Sequence, residues 1–296
     1  MFAPFALAVG LAAGIGLGLV PLSALAQRES PVQSGARPLG LDIVAPVNRA
    51  RSDRPSRRFH RNAYPVIYDN LGLGPTDTNW TGVNDIVALD PSDIVLVEEY
   101  DVRVYFVNER SDSANALGFF DRPASQPDNN YAGINPQLIF PDASSAVDFW
   151  DGTGQITRNQ ATPLAPGDFV DIGTFSADTN LDFFLLPNGQ TPAAFSEADI
   201  NPGGFQQFVA FAQADSPYLV LRVEEQFTGA DNEFDDAVFA VDLGVNNVRG
   251  LIAASVPLPA PVLALLLPLL LLVRRQLQAY RAKRDALSGK PCGVAA

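Results

Sequence analysis

Ala237-Val238-Phe239-Ala240-Val241-Asp242-Leu243 decides the fold class. Ala237, Phe239, Val241 and Leu243 fall on one side of an extended chain, and Val238, Ala240 and Asp242 on the other. The stretch just upstream repeats the pattern, with Leu219, Leu221 and Val223 alternating with Val220, Arg222 and Glu224. Further back, Ile94 and Leu96, then Val102, Val104 and Phe106, keep the same period of two. Ala116–Phe120, Asp168–Phe175, Leu181–Leu186 and Phe205–Ala212 are further candidate strands. Between them stand turn clusters such as Pro187-Asn188-Gly189 and Asn201-Pro202-Gly203-Gly204. No sustained helical stripe interrupts them. The chain predicts an all-β domain, a β-sandwich or jelly-roll-like fold, over residues 63–249. Within it, Tyr64 to about Val87 is expected as an extra strand pair or a loop.

Outside that domain the composition changes. Residues 1–26 read as a signal peptide: an apolar Ala/Gly/Leu run to Val20, a break at Pro21, and Ala24-Leu25-Ala26 before Gln27 as the small–x–small cleavage site. Residues 27–62 hold four prolines and six arginines between Arg49 and Arg61, with little hydrophobic periodicity. They are expected as an Arg/Pro-rich disordered linker, or else as a segment docked on an acidic surface. His60, the only histidine, falls here, which takes His-dependent triads and multi-His metal sites out of the domain. Residues 250–255 read as a short linker.

Val256 to Val273 is apolar or proline throughout, and at about 1.5 Å per residue it reaches ~27 Å as a helix, enough for a bilayer core. It predicts one C-terminal transmembrane helix. Arg274, Arg275 and a basic tail over 276–296 follow, so the C-terminus is expected in the cytoplasm and the domain outside. Charge agrees with that polarity. From Gln27 to Gly250 there are 14 Arg, no Lys and 32 Asp plus Glu, a formal charge of −18. Such a surface repels phosphate backbones, so nucleic acid is excluded as a partner. The single cysteine, Cys292, lies in the tail, so the exported part has no disulfide.

One local feature carries testable chemistry. Asp231, Glu233, Asp235 and Asp236 crowd four carboxylates into six residues. Gathered without a cation they would raise one another's pKa. Oxygens from Asp231, Glu233 and Asp235 could converge on Ca²⁺, with Asp236 leading into the strand. The alternative is a solvated acidic turn before an edge strand. For sugar chemistry the best constellation is Asp148, Trp150 and Asp151. No phosphate-cradling loop or nucleophile elbow is present.

Two resemblances add to this. Val104-Tyr105-Phe106-Val107-Asn108-Glu109 with Ala114–Phe120, Gly167–Phe175 with Leu181–Gly189, and Asp231-Asn232-Glu233-Phe234-Asp235-Asp236 before an apolar strand resemble, in order, three blocks of the bacterial family called domain of unknown function 4114. That likeness covers about residues 102–243 and implies the fold and an extracellular location. Val256-Pro257-Leu258-Pro259-Ala260, the apolar run and Arg274-Arg275 resemble the VPLPA form of the PEP-CTERM sorting signal. The resemblance implies recognition by exosortase, a membrane-embedded protease of Gram-negative bacteria that make extracellular polysaccharide, after signal peptidase has acted. Two prolines without N–H donors keep such a motif extended for a protease. The chain is therefore expected to be exported across the inner membrane, sorted, and delivered to the cell surface or matrix. There its sandwich would bind polysaccharide or a surface protein without catalysis, with Ca²⁺ at the acidic turn as a candidate ion. A carbohydrate-active enzyme and a permanently anchored envelope protein are the rival expectations.

Overall fold

The computed structural model describes residues 33–74, 77–126, 131, 133–147, 156–228, 230 and 233–255. The leader with Ala24, Ala26 and Gln27, Asp231, the Asp148–Trp150–Asp151 trio, Val256–Ala260, the apolar run and Arg274–Arg275 lie outside them. Among the described residues no helix is long and apolar enough to cross a membrane.

The elements in chain order are α1 (Arg54–Asn62), α2 (Tyr64–Asp69), β1 (Ile86–Leu89), β2 (Tyr100–Glu109), β3 (Ala116–Pro123), β4 (Gln137–Phe140), β5 (Phe169–Phe175), β6 (Thr179–Leu186), β7 (Ala194–Phe195), β8 (Phe208–Gln213), β9 (Tyr218–Val223), β10 (Ala237–Asp242) and α3 (Val245–Ser255). Two antiparallel sheets form, one ordered β1-β8-β9-β10-β2-β5 and the other β4-β3-β6-β7. Alternation in the strands does what the sequence requires. Val104, Phe106, Leu221 and Phe239 of the larger sheet meet Leu117, Phe119, Phe183 and Leu185 of the smaller one in a common core. Ring contacts knit the layers, with Phe106 and Phe140 at 6.4 Å and Phe119 and Phe175 at 5.9 Å between centroids. The all-β sandwich is the architecture.

Its outer faces are buried too. On the larger sheet Tyr105, Val107, Phe211, Val220 and Val238 pack under Phe59, Ile67, Leu71 and Trp80. On the smaller sheet Phe120, Leu138 and Phe184 lie under Ile43 and the partly buried Leu41, Tyr131 and Phe195. This explains why Val238 and Ala240, on the second face of the deciding stretch, are also apolar.

The segment expected to be a disordered linker over 27–62 supplies part of this cover, which corrects that expectation. Asp53 caps α1: its carboxylate accepts from Ser56 N at 2.7 Å, and Ser56 Oγ accepts from Asp53 N at 3.1 Å. Both bonds satisfy donors that a helix start leaves open. Pro55 sits in the first turn, where its missing N–H is harmless. Asp53 also pairs with Arg103 at 2.8 Å. Phe59 is fully buried, stacked on Tyr105 at 4.0 Å and edge-on to Tyr218 at 5.2 Å. One deeply buried ring among arginines gives a helix no visible stripe, so the pattern pointed the wrong way.

Two other boundaries move for related reasons. Residues 64–69 are helix α2 and β1 begins only at Ile86, so among the described residues no strand pair precedes it. The expected linker 250–255 is the second half of α3, whose Val248 and Leu251 join the core. Asn247 locks α3 in place, its Oδ1 accepting from Val97 N at 2.7 Å and Glu98 N at 2.9 Å.

If α1 belongs to the fold, Phe59→Ala must leave a cavity under the sheet. The expected loss is ~3–5 kcal/mol, read as a lower denaturant midpoint at unchanged slope. A loss within about 0.5 kcal/mol would return α1 to the status of a linker.

Candidate functional site

The acidic turn between β9 and β10 is built around a buried arginine. Arg222, fully buried on the outer face of β9, donates Nε–H to Phe234 O at 2.9 Å and reaches Glu233 O at 2.6 Å. The same guanidinium donates to Leu71 O and Leu73 O, each at 2.7 Å, across the chain. Burial pushes its pKa down, and the four carbonyls supply what water no longer can. Phe234 takes a positive φ of 53° and is itself buried, so the turn is fixed from inside.

This geometry sends the carboxylates in different directions. Asp235 is buried and accepts from Arg110 Nη1 at 2.9 Å. Asp236 accepts from the backbone N–H of Glu225 at 2.8 Å. Glu233 is exposed. Among the described residues, no three His, Cys, Asp or Glu side chains stand together to hold a metal. An ion here would need Asp231, which lies outside the described residues, and would have to displace Arg110. The strand that follows is central, between β9 and β2, so the turn does not guard a sheet edge as the alternative expectation had it.

A second carboxylate group, which no motif announced, lies where β2 ends. Glu109 is buried, its Oε1 accepting from Ser111 N at 2.7 Å and its Oε2 from Ser145 N at 3.0 Å. Glu225 accepts from Ser111 Oγ at 2.7 Å, from Ser113 Oγ at 3.0 Å and from the Asn115 amide. Asp142 accepts from Ser144 N at 2.9 Å. Burial first, then the charges of Glu225 and Asp142, raise Glu109 to about 7, while the two backbone donors pull it the other way. Glu109 ends β2 and Asp142 lies in the loop after β4, on the other sheet, so no sequence spacing links them. Asn115 and Glu109 do both fall inside the first family-like block, which was the available signal.

The third feature is a groove of about 540 Å³ between α1–α2 and the β8–β9 hairpin. Its apolar floor comes from Ile67, Trp80, Phe211 and Val220, all buried. Its rim is polar and carries Arg58, Asn62, Asn84, Asp85 and Asp215, all exposed. The wall is held by specific bonds. Asn70 is buried, donates to Val66 O at 2.7 Å and accepts from Thr81 N, which ties the Trp80 loop to α2. Gln213 donates to Asn84 O at 3.2 Å. Trp80 packs on Phe211 at 5.8 Å, yet its indole N–H is buried with no acceptor among the described residues. A buried donor left unmade costs ~1–3 kcal/mol. Glu109 and Glu225 do not line this groove, so the buried carboxylates and the aromatic floor are separate places. Sequence reasoning missed the groove because it takes the N-terminal segment to be unfolded.

His60 is half-buried rather than solvated. Its ring lies 5.2 Å from Tyr64 and 3.0 Å from Arg51 Nη2, and burial with the Arg51 charge pushes its pKa down.

Glu109 makes stability depend on pH with a definite sign. A carboxyl whose folded pKa lies above its unfolded value holds more protons in the folded state, so stability falls as pH rises through that window. Between about pH 4.5 and 7 the loss from this one group is roughly 3 kcal/mol. Denaturant unfolding at pH 5 and pH 8 should show a smaller difference for Glu109→Gln than for the parent. Equal differences would mean that Glu109 titrates normally.

Compared with known families, with curated proteins and with solved structures, the chain matches none.

Proposed function

We propose that the chain is an exported protein of the Gram-negative cell surface or exopolysaccharide matrix, sorted by exosortase, whose β-sandwich is a non-enzymatic binding module. The likeness to domain of unknown function 4114 supports the location, and the Lys-free charge of the domain supports its exposure outside the cell. The observation that carries the sorting step is the order Val256–Ala260, apolar run, Arg274-Arg275. The structure adds a physical setting: α3 is packed on the sandwich and is described as far as Ser255, the residue before the motif. A cleavage there would release the domain with almost no tail. The groove supports the binding step, since an apolar floor with a polar rim is the usual make-up of a ligand site.

Mass spectrometry of the mature protein tests the sorting step. The expected chain begins near Gln27 and lacks everything beyond about Ala260. An intact C-terminus would leave a permanently anchored envelope protein instead.

Calcium at Asp231, Glu233 and Asp235 is a separate part of the proposal. The ion must compete with Arg110 for Asp235, so affinity is expected in the millimolar range of extracellular sites. Millimolar Ca²⁺ should then raise the melting temperature, and the rise should vanish in Asp231→Ala/Glu233→Ala. No rise, or the same rise in the variant, removes the metal.

A further inference from the structure

We infer that the groove between α1–α2 and the β8–β9 hairpin is a binding site for a neutral oligosaccharide. The inference rests on the proposed role of the sandwich as a binding module and names its site and ligand class. The volume of about 540 Å³ suits a short stretch of sugar chain rather than a single ion. The site is built in advance of any ligand. The Arg222 guanidinium holds Leu71 and Leu73, and Asn70 holds the Trp80 loop, so the wall facing the β8–β9 hairpin is fixed to the sheet. Preorganisation of that kind is what lets a shallow site bind.

The rim chemistry selects the ligand. Sugar hydroxyls both donate and accept, so they need both kinds of partner side by side. Asn62 and Asn84 offer amides, Asp85 offers an acceptor and Arg58 offers donors. The apolar floor beneath them fits the C–H faces of a pyranose. Charge argues against an acidic chain. Among the described lining residues Arg58 is the one cation beside two carboxylates, Asp85 and Asp215, and residues 27–250 carry a formal charge of −18. Asp215 is already bonded to Arg249 at 2.8 Å.

Trp80 is also the reporter. The chain has two tryptophans, so Trp150→Phe leaves Trp80 as the single indole. The full-length protein in this form is titrated with maltotriose, cellotriose and chitotriose, with oligogalacturonate as the charged comparator and a random heptapeptide pool as the peptide one. The expected result is a saturable change in Trp80 fluorescence with at least one neutral trisaccharide. Its Kd should rise at least tenfold in Asn62→Ala/Asp85→Asn at an unchanged melting temperature. Asparagine is chosen because position 85 has a positive φ of 60° that it tolerates. A neutral sugar bound equally by the variant would overturn the groove assignment while leaving glycan binding by the protein in place. Binding of oligogalacturonate or peptide alone, or of no probe, would overturn the ligand class. None of these outcomes touches the sorting step, which mass spectrometry decides.

Discussion

The guanidinium of Arg222 is the joint on which the outer half of this molecule depends. It lies fully buried on the face of a central strand, and its acceptors are backbone carbonyls from two loops far apart in sequence. A buried cation of this kind is tolerable only when its donors are met. Meeting them fixes the loop after α2 on one side and the acidic turn before β10 on the other. The groove wall and the carboxylate turn are thus positioned by one side chain. In a chain this acidic, arginine is the scarce charge, and the structure spends several arginines on joints. Arg103 joins Asp53 and Asp171, Arg122 joins Asp182, and Arg158 joins Asp168.

That use of charge explains the behaviour of the acids. Asp168, fully buried, accepts from Ala50 N and Ala165 N as well as from Arg158. Asp235 faces Arg110, and Asp236 faces a backbone N–H. Glu109 and Glu225 lean on serine and asparagine donors, with no arginine among their hydrogen-bond partners in the described residues. Carboxylates matched to arginines are held by charge; Glu109, matched to neutral donors, is left with a raised pKa. One surface that looks uniformly acidic in sequence is therefore two kinds of environment.

Much of the sandwich was legible. The period-two runs at residues 102–106, 219–223 and 237–242 became strands, because alternation reports directly which side of a sheet each residue faces, and the candidate strands 116–120 and 181–186 formed as well, while Ile94 and Leu96 lie outside the strands. Pro187-Asn188-Gly189 became a tight turn, with Asn188 and Gly189 at positive φ as such turns need. Residues 54–62 were not legible, because Phe59 alone anchors that helix and one residue has no period. The 250–255 boundary failed for a similar reason: two buried side chains, Val248 and Leu251, and one locking amide, Asn247, hold α3. Of the candidate sites, the crowding of Asp231 to Asp236 was visible as composition. Its dispersal toward Arg110 and Glu225 was not, since a turn's handedness decides where each carboxylate points.

By itself the sequence determined the all-β class, the alternation that builds the sheets, and the uneven charge that separates an acidic Lys-free domain from a basic tail. These are properties of local order and composition, and neighbouring residues carry them. The tertiary structure decided which carboxylates meet a cation, that Arg222 is a joint, and that an arginine-rich segment roofs a groove rather than trailing from the domain. Each of those depends on residues distant in sequence meeting in a dry interior, where an unmatched charge or donor is costly and the fold must supply its partner.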